Sequence, residues 1–257
     1  MASIHLDKVT VQFPLHGTRV RPSGRPARRP ARFVGGIING SRRGPPHISA
    51  LQDISLTLGS GDRVGLIGHN GSGKSTLLRV IGGVYEPCAG RVEVSGRVLS
   101  LSEPLLGMSL ECTGRENVVL RGIFVGLTPR QVLSRIDEIA EFSELEAYMD
   151  VPLKAYSTGM QLRLAFATAT AFEPDILLLD EQFLTGDAAF VEKAERRLKA
   201  FVGRAGIVIQ ASHSERLIRE TCAQIVLLEQ GRMVMFGDAD EVFARYHAER
   251  SAGTAHG

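Results

Sequence analysis

Residues 68 to 75 read GHNGSGKS, and few folds are open to a chain that carries this octapeptide between an apolar strand and a helix. The spacing G-x-x-x-x-G-K-[ST] follows RVGLI and precedes STLLRVI, the context a phosphate-binding loop requires. Glycines 68, 71 and 73 let backbone N–H groups curl around phosphate oxygens, and the helix N-terminus adds partial positive charge. The cradle runs through Gly68, His69, Asn70, Gly71, Ser72, Gly73, Lys74, Ser75 and Thr76, with His69 and Asn70 contributing backbone more than side chain. Lys74 is expected to reach the β- and γ-phosphates of ATP, and Ser75 to ligate Mg²⁺ through its hydroxyl.

A second signal is ILLLDE at 176 to 181, an apolar strand ending in two carboxylates. In P-loop NTPases an Asp so placed holds the Mg²⁺ shell, which falls to Asp180. Neighbouring strand residues point to opposite faces, so Glu181 is left to orient the attacking water as catalytic base. GIVIQ runs into ASHS and leaves His213 at a strand end, where open α/β sheets bind ligands and an imidazole can bond the γ-phosphate.

The rest of the chain fits an α/β fold. Val9, Val11 and Phe13 alternate with polar residues, as do Ile54, Leu56 and Leu58, and GSGD at 59 to 62 then reads as the turn of a β-hairpin into RVGLIG. Apolar runs at 176–179, 207–209 and 225–228, separated by helix-like segments, predict a mainly parallel sheet. From about 101 to 173 the pattern is helical: Thr113-x-x-Glu116 reads as a capping box, and Thr128-Pro129 as an N-cap with proline behind it. The expected domain is therefore single over 1–257, with an α/β core at about 1–100 and 174–247, a helical subdomain at 101–173 and a disordered tail at 248–257.

Charge excludes some classes. With 30 basic and 28 acidic residues the net charge is +2, so the chain as a whole lacks the excess expected of a nucleic-acid binder. Locally the picture differs, because Lys8 to Gln52 contains no Asp or Glu but eight arginines, including Arg28 and Arg29, in a basic insertion at about 15–48. Cys88, Cys112 and Cys222 are too scattered for a disulfide framework and offer no C-x-x-C pair. The start MASIHLDK lacks the pattern of a signal peptide, and no run of 18 apolar residues could cross a membrane, which fits a cytoplasmic setting.

Phosphate loop, YSTGM, DE strand end and ASH strand end occur in that order, and with them the chain resembles the ATP-binding cassette (ABC) ATPases over about residues 3 to 247. The resemblance implies that YSTGM at 156 to 160 is the signature motif, with Ser157 and Gly159 at its serine and second glycine positions and with Thr158 and Met160 as departures. Two cassettes of the family pair head to tail, so Ser157 is expected to meet the γ-phosphate held by a second copy of the chain. Phe13 falls where the family stacks adenine, and its alternation equally suits a core residue. Glu103 falls where the family has a glutamine that joins Mg²⁺ to the helical subdomain, and a carboxylate can serve there. Asp187 of LTGD is similar to an aspartate that touches the partner cassette.

GVYEPCAGRVEVSGRV, TGREN, AYSTGM, FLTGD and the basic insertion are similar to ABC ATPases that energise export of lipid-linked polysaccharides. That likeness implies a separately encoded membrane permease as partner, no nucleic acid, and a peripheral place on the cytoplasmic face of the inner membrane. The competing readings are another ABC exporter, for a small molecule or drug, and a soluble ABC-type ATPase acting on nucleic acid or ribosomes.

Overall fold

The computed structural model describes residues 1–14, 32–33, 36–39, 47–101, 103, 105–180, 188–212 and 214–254, with the backbone alone for 32–33, 36–39, 188–189 and 249–254. The first elements are β1 (Ser3–Pro14), β2 (Arg32–Phe33), β3 (Gly36–Asn39), β4 (His47–Gly59), β5 (Arg63–Ile67), α1 (Lys74–Ile81) and β6 (Ala89–Ser95). β7 (Val98–Ser100), α2 (Gly114–Phe124), α3 (Pro129–Leu133), α4 (Ile136–Ser143), α5 (Thr158–Thr170), β8 (Ile176–Leu179) and α6 (Ala188–Arg204) follow. β9 (Ile207–Ala211), α7 (Glu215–Thr221), β10 (Gln224–Glu229), β11 (Arg232–Asp238) and α8 (Ala239–Thr254) complete the order. Two compact units result: Ser3–Ser95 with Ile209–Gly257, and Met1–Ala2 with Gly96–Val208.

In the unit of Ser3–Ser95 and Ile209–Gly257, one sheet has the order β2-β3-β4-β1-β6 and its described pairs are antiparallel. β1 buries Ile4 and Leu6, then Val9 and Val11, a change of parity that a flat strand would not tolerate. A bulge between Leu6 and Val9, with Lys8 at φ 48°, absorbs the extra residue. β4 does the same at Asp53 (φ 52°), between Leu51 and the buried set Ile54, Leu56 and Leu58. The second sheet of this unit places β10 parallel to β5 and antiparallel to β11. One face of it buries Ile67, Ile225 and Leu227 with Ile218 and Cys222 at α7 and Val242 and Phe243 of α8.

Two expectations are corrected here. β4 and β5 do not form a hairpin: the turn at Gly59 to Asp62 is made, but the strands join different sheets. The reason lies in their patterns, since β4 alternates and suits a sheet with one wet face, whereas Val64 to Ile67 are buried without a break, as parallel strands are. Residues 248–254, expected as part of a disordered tail, continue α8 as helix.

The unit of Gly96–Val208 holds the helical stretch together with β7 and β8, which pair in parallel. Its helical core packs Val118, Val132, Ile139, Met149, Leu153 and Leu164. Both expected N-termini form as capping boxes: Thr113 with Glu116, and Thr128 with Gln131, the latter with Pro129 at the first helical position. The hydrogen bond from the Thr113 N–H also holds the Glu116 carboxyl below the usual carboxylate range. Most of the basic insertion, 15–31, 34–35 and 40–46, lies outside the described residues.

Candidate active site

The phosphate loop forms between β5 and α1. Gly68, Gly71 and Gly73 have φ of 146°, 76° and 108°, the backbone freedom that a loop curling around phosphate oxygens needs. A Cβ at Gly68 would lie 2.2 Å from the Leu228 carbonyl oxygen, so no other residue fits there. Lys74 is buried, and its ammonium donates to the carbonyls of Gly68 (2.7 Å) and His69 (3.1 Å), which fixes the charge inside the loop. His69, Asn70 and Gly71 face solvent, while Ser75 and Thr76 are half-buried in the first turn of α1. Ser72 is fully buried and its Oγ has no hydrogen-bond partner, a feature that costs folding energy unless a ligand oxygen or N–H meets it. Positive-φ glycines, a buried ammonium and an orphaned hydroxyl in one loop fit a triphosphate.

A support for this loop was not foreseen. Gln230 (φ 47°) and Gly231 (φ 79°) form the two-residue turn between β10 and β11, both in the left-handed region that such hairpins need. The Gly231 N–H donates to the Ser72 carbonyl (2.9 Å), and the Gly231 carbonyl accepts from the Gln52 N–H (2.7 Å). The dipeptide QG between two apolar runs was the available signal. In the same unit, Phe13 is half-buried and meets Tyr85 edge-on, with ring centroids 5.3 Å apart, and the Arg79 guanidinium lies 5.6 Å from the Tyr85 ring.

Ser157, Gly159, Asp180 and Glu103 belong to the other unit. Ser157 caps α5 by accepting the Met160 N–H at 3.2 Å, which leaves its own O–H able to donate outward. A Cβ at Gly159 would meet only the Ser157 Oγ at 3.9 Å, so the start of α5 is an open N-terminus with Thr158 exposed beside it. Gln161 ties the approach to this helix by donating to the carbonyls of Leu153 (3.1 Å) and Tyr156 (3.4 Å). Asp180 follows β8 directly and is half-buried. Glu103 is half-buried, and its carbonyl accepts from the Leu106 N–H at 3.1 Å. Glu181, Asp187 and His213 lie outside the described residues.

The loop that carries Glu103 is held by residues that sequence reasoning missed. Asn117 is fully buried; its Oδ1 accepts the Ser109 N–H (2.6 Å), and its Nδ2 donates to the carbonyls of Ser109, Cys112 and Thr113 (each 2.9 Å). Arg121 donates to the Leu106 carbonyl, and burial pulls its pKa down to about 10.

Residues 51–184, just over half of the chain, match the family described as ABC transporter. The O-antigen export system ATP-binding protein RfbE of Yersinia enterocolitica is 42% identical over 90% of this chain and 96% of its own length. The Lactococcus lactis teichoic acids export ATP-binding protein TagH is 36% identical over 86% of this chain, which spans only 47% of that longer protein. Among solved structures, an ABC transporter ATP-binding subunit superposes with a TM-score of 0.65 at 21% identity, over 95% of this chain and 93% of that one. A dimeric post-hydrolysis ATP-binding cassette with ADP and Pi bound gives 0.64 at 22%, over 92% and 98%. With the phosphate loop formed as the sequence requires and relatives of this kind over most of its length, the chain belongs to the ABC transporter family.

Proposed function

We propose that this chain is the ATP-hydrolysing motor subunit of a transporter that exports a lipid-linked polysaccharide, working as two copies bound to a separately encoded permease. The observation that carries it is the presence, on one chain, of a complete phosphate loop and an open, Ser157-capped helix start, in a family member whose near relatives carry O-antigen and teichoic acid export names. Lys74 and the loop N–H groups bind the phosphates, and Phe13 with Tyr85 offers aromatic edge and face to the base. Ser75 and Asp180 would hold Mg²⁺, with Glu103 as a further oxygen donor; when bound, the ion would offset the negative charge of the phosphates. Glu181 orients water for attack, and His213 bonds the γ-phosphate so that ATP and ADP are told apart. Ser157 and the start of α5 complete the second copy's site, and Asp187 touches that copy. No helix among the described residues is long and apolar enough to cross a membrane. In this reading the permease supplies the path, and the subunit sits on the cytoplasmic face of the inner membrane.

The test has two arms. Glu181→Gln should keep ATP binding and accumulate an ATP-bound dimer in gel filtration while turnover falls at least about 10²-fold; normal turnover removes Glu181 as base. Purification of the chain from native membranes should bring with it an integral-membrane protein and a glycolipid. A lipid-free partner that exports a drug or small molecule would overturn the polysaccharide part of the reading and leave the ATPase part standing.

A further inference from the structure

The unit that contains α5 carries a cleft of about 600 Å³ that shares no residue with the phosphate loop, Ser157 or Asp180. It is bounded by α3, α4, the end of α5 and α6, and its wall carries Arg97, Arg135, Arg197 and Arg204 against the carboxylates Glu138 and Glu173. Glu138 is shared: one oxygen pairs with Arg135 (2.6 Å), the other with Arg197 (3.0 Å). Arg204 pairs with Glu173 at 2.9 Å, and Arg97 with Asp175, outside the wall, at 3.6 Å. Each of these pairs is made through one guanidinium nitrogen, whereas a guanidinium has five N–H donors on three nitrogens.

Arg197 is the most enclosed of the four. Its side chain is 19% exposed, its Cζ lies 4.1 Å from the Phe142 ring centroid, and its Nη2 also donates to the Thr170 carbonyl at 3.2 Å. Desolvation lowers its pKa, against the opposing effect of Glu138. A surplus of positive charge around one enclosed arginine suits a multidentate anion, and the planar arginine forks match phosphate oxygens. The volume lies within the ordinary range for small-molecule sites, roughly 300 to 1,000 Å³.

We propose that this cleft binds a sugar-sized phosphoanion, with the spare N–H groups of Arg97, Arg135, Arg197 and Arg204 taking its phosphate oxygens. A nucleotide sugar and the diphosphate headgroup of a lipid-linked sugar share this chemistry. The proposal does not depend on the export reading, since it needs only the cleft and its charges.

Titration calorimetry with inorganic pyrophosphate is done on Lys74→Ala protein, which removes the ammonium of the phosphate loop and so weakens the competing site. The expected result is one equivalent bound with a Kd below about 1 mM at low salt, weakened at least about tenfold by Arg135→Gln/Arg204→Gln. Those two side chains are 53% and 60% exposed, so their loss should leave the fold intact, which an unchanged melting temperature checks. Hydrogen exchange gives a second readout on the Lys74→Ala protein itself, with pyrophosphate expected to slow exchange at 127–138 and 197–204. No binding, equal binding in the double variant, or exchange unchanged at those segments overturns the proposal. Tighter binding of UDP-glucose than of farnesyl diphosphate assigns the soluble source, and the reverse order assigns the lipid headgroup.

Discussion

Ser72 shows how far a single residue can be read from sequence. GHNGSGKS named the loop, its lysine and its metal-side serine, because those roles depend on spacing along the chain. That the Ser72 hydroxyl is buried without a partner follows from how the loop folds back, and no spacing announces it. An unsatisfied buried hydroxyl costs about 1–3 kcal/mol, whereas its alanine replacement costs nothing of that kind. Ser72→Ala should therefore leave the melting temperature of nucleotide-free protein unchanged or raise it, while ATP affinity falls. Differential scanning fluorimetry with and without Mg-ATP reads both, and a lower melting temperature without nucleotide would mean that the hydroxyl is satisfied. Lys74→Ala in the same assay should remove the ATP-induced shift, since its ammonium is already held inside the loop at Gly68 and His69.

At the scale of elements, α2 was half legible. Its start was readable, because a capping box is local: Thr113 and Glu116 sit three residues apart and satisfy each other's N–H groups. Its other duty was hidden. Asn117, Arg121 and Phe124 lie at i, i+4 and i+7, one stripe of the helix, and in sequence the first two resemble solvated positions. In the structure the loop before the helix folds over that stripe: Asn117 and Arg121 bond its backbone, and a Cβ at Gly107 would lie 2.9 Å from the Phe124 ring. The failed hairpin has the same origin, since a local turn says nothing about which sheet each strand then joins. Asn117→Ala strips four hydrogen bonds from buried or half-buried backbone groups and should destabilise by about 3 kcal/mol or more in urea unfolding. Arg121→Met should cost clearly less, because the removed guanidinium has one carbonyl partner and an unsatisfied Nε, and an apolar chain of similar length fills its place. An equal loss for the two variants would show that Arg121 holds the loop as firmly as Asn117 does.

At the scale of the whole molecule, one chain carries one phosphate loop and one capped α5, and the proposal that they serve different ATP molecules makes a quantitative demand. If Ser157 acts on the phosphate loop of the other copy, Lys74→Ala and Ser157→Arg each inactivate both sites of their own homodimer. In a mixed dimer, the Lys74→Ala chain still offers an intact Ser157 to the intact phosphate loop of its partner. One site in two is then whole, in the half of all dimers that are mixed. An equimolar mixture of the two inactive proteins should therefore recover about a quarter of wild-type ATPase activity when the sites work independently. Were Ser157 to serve its own chain's nucleotide, every site in the mixture would lack one component, and no activity would return. Each variant is silent alone, so any recovery above the two separate backgrounds can come only from a site built by two copies.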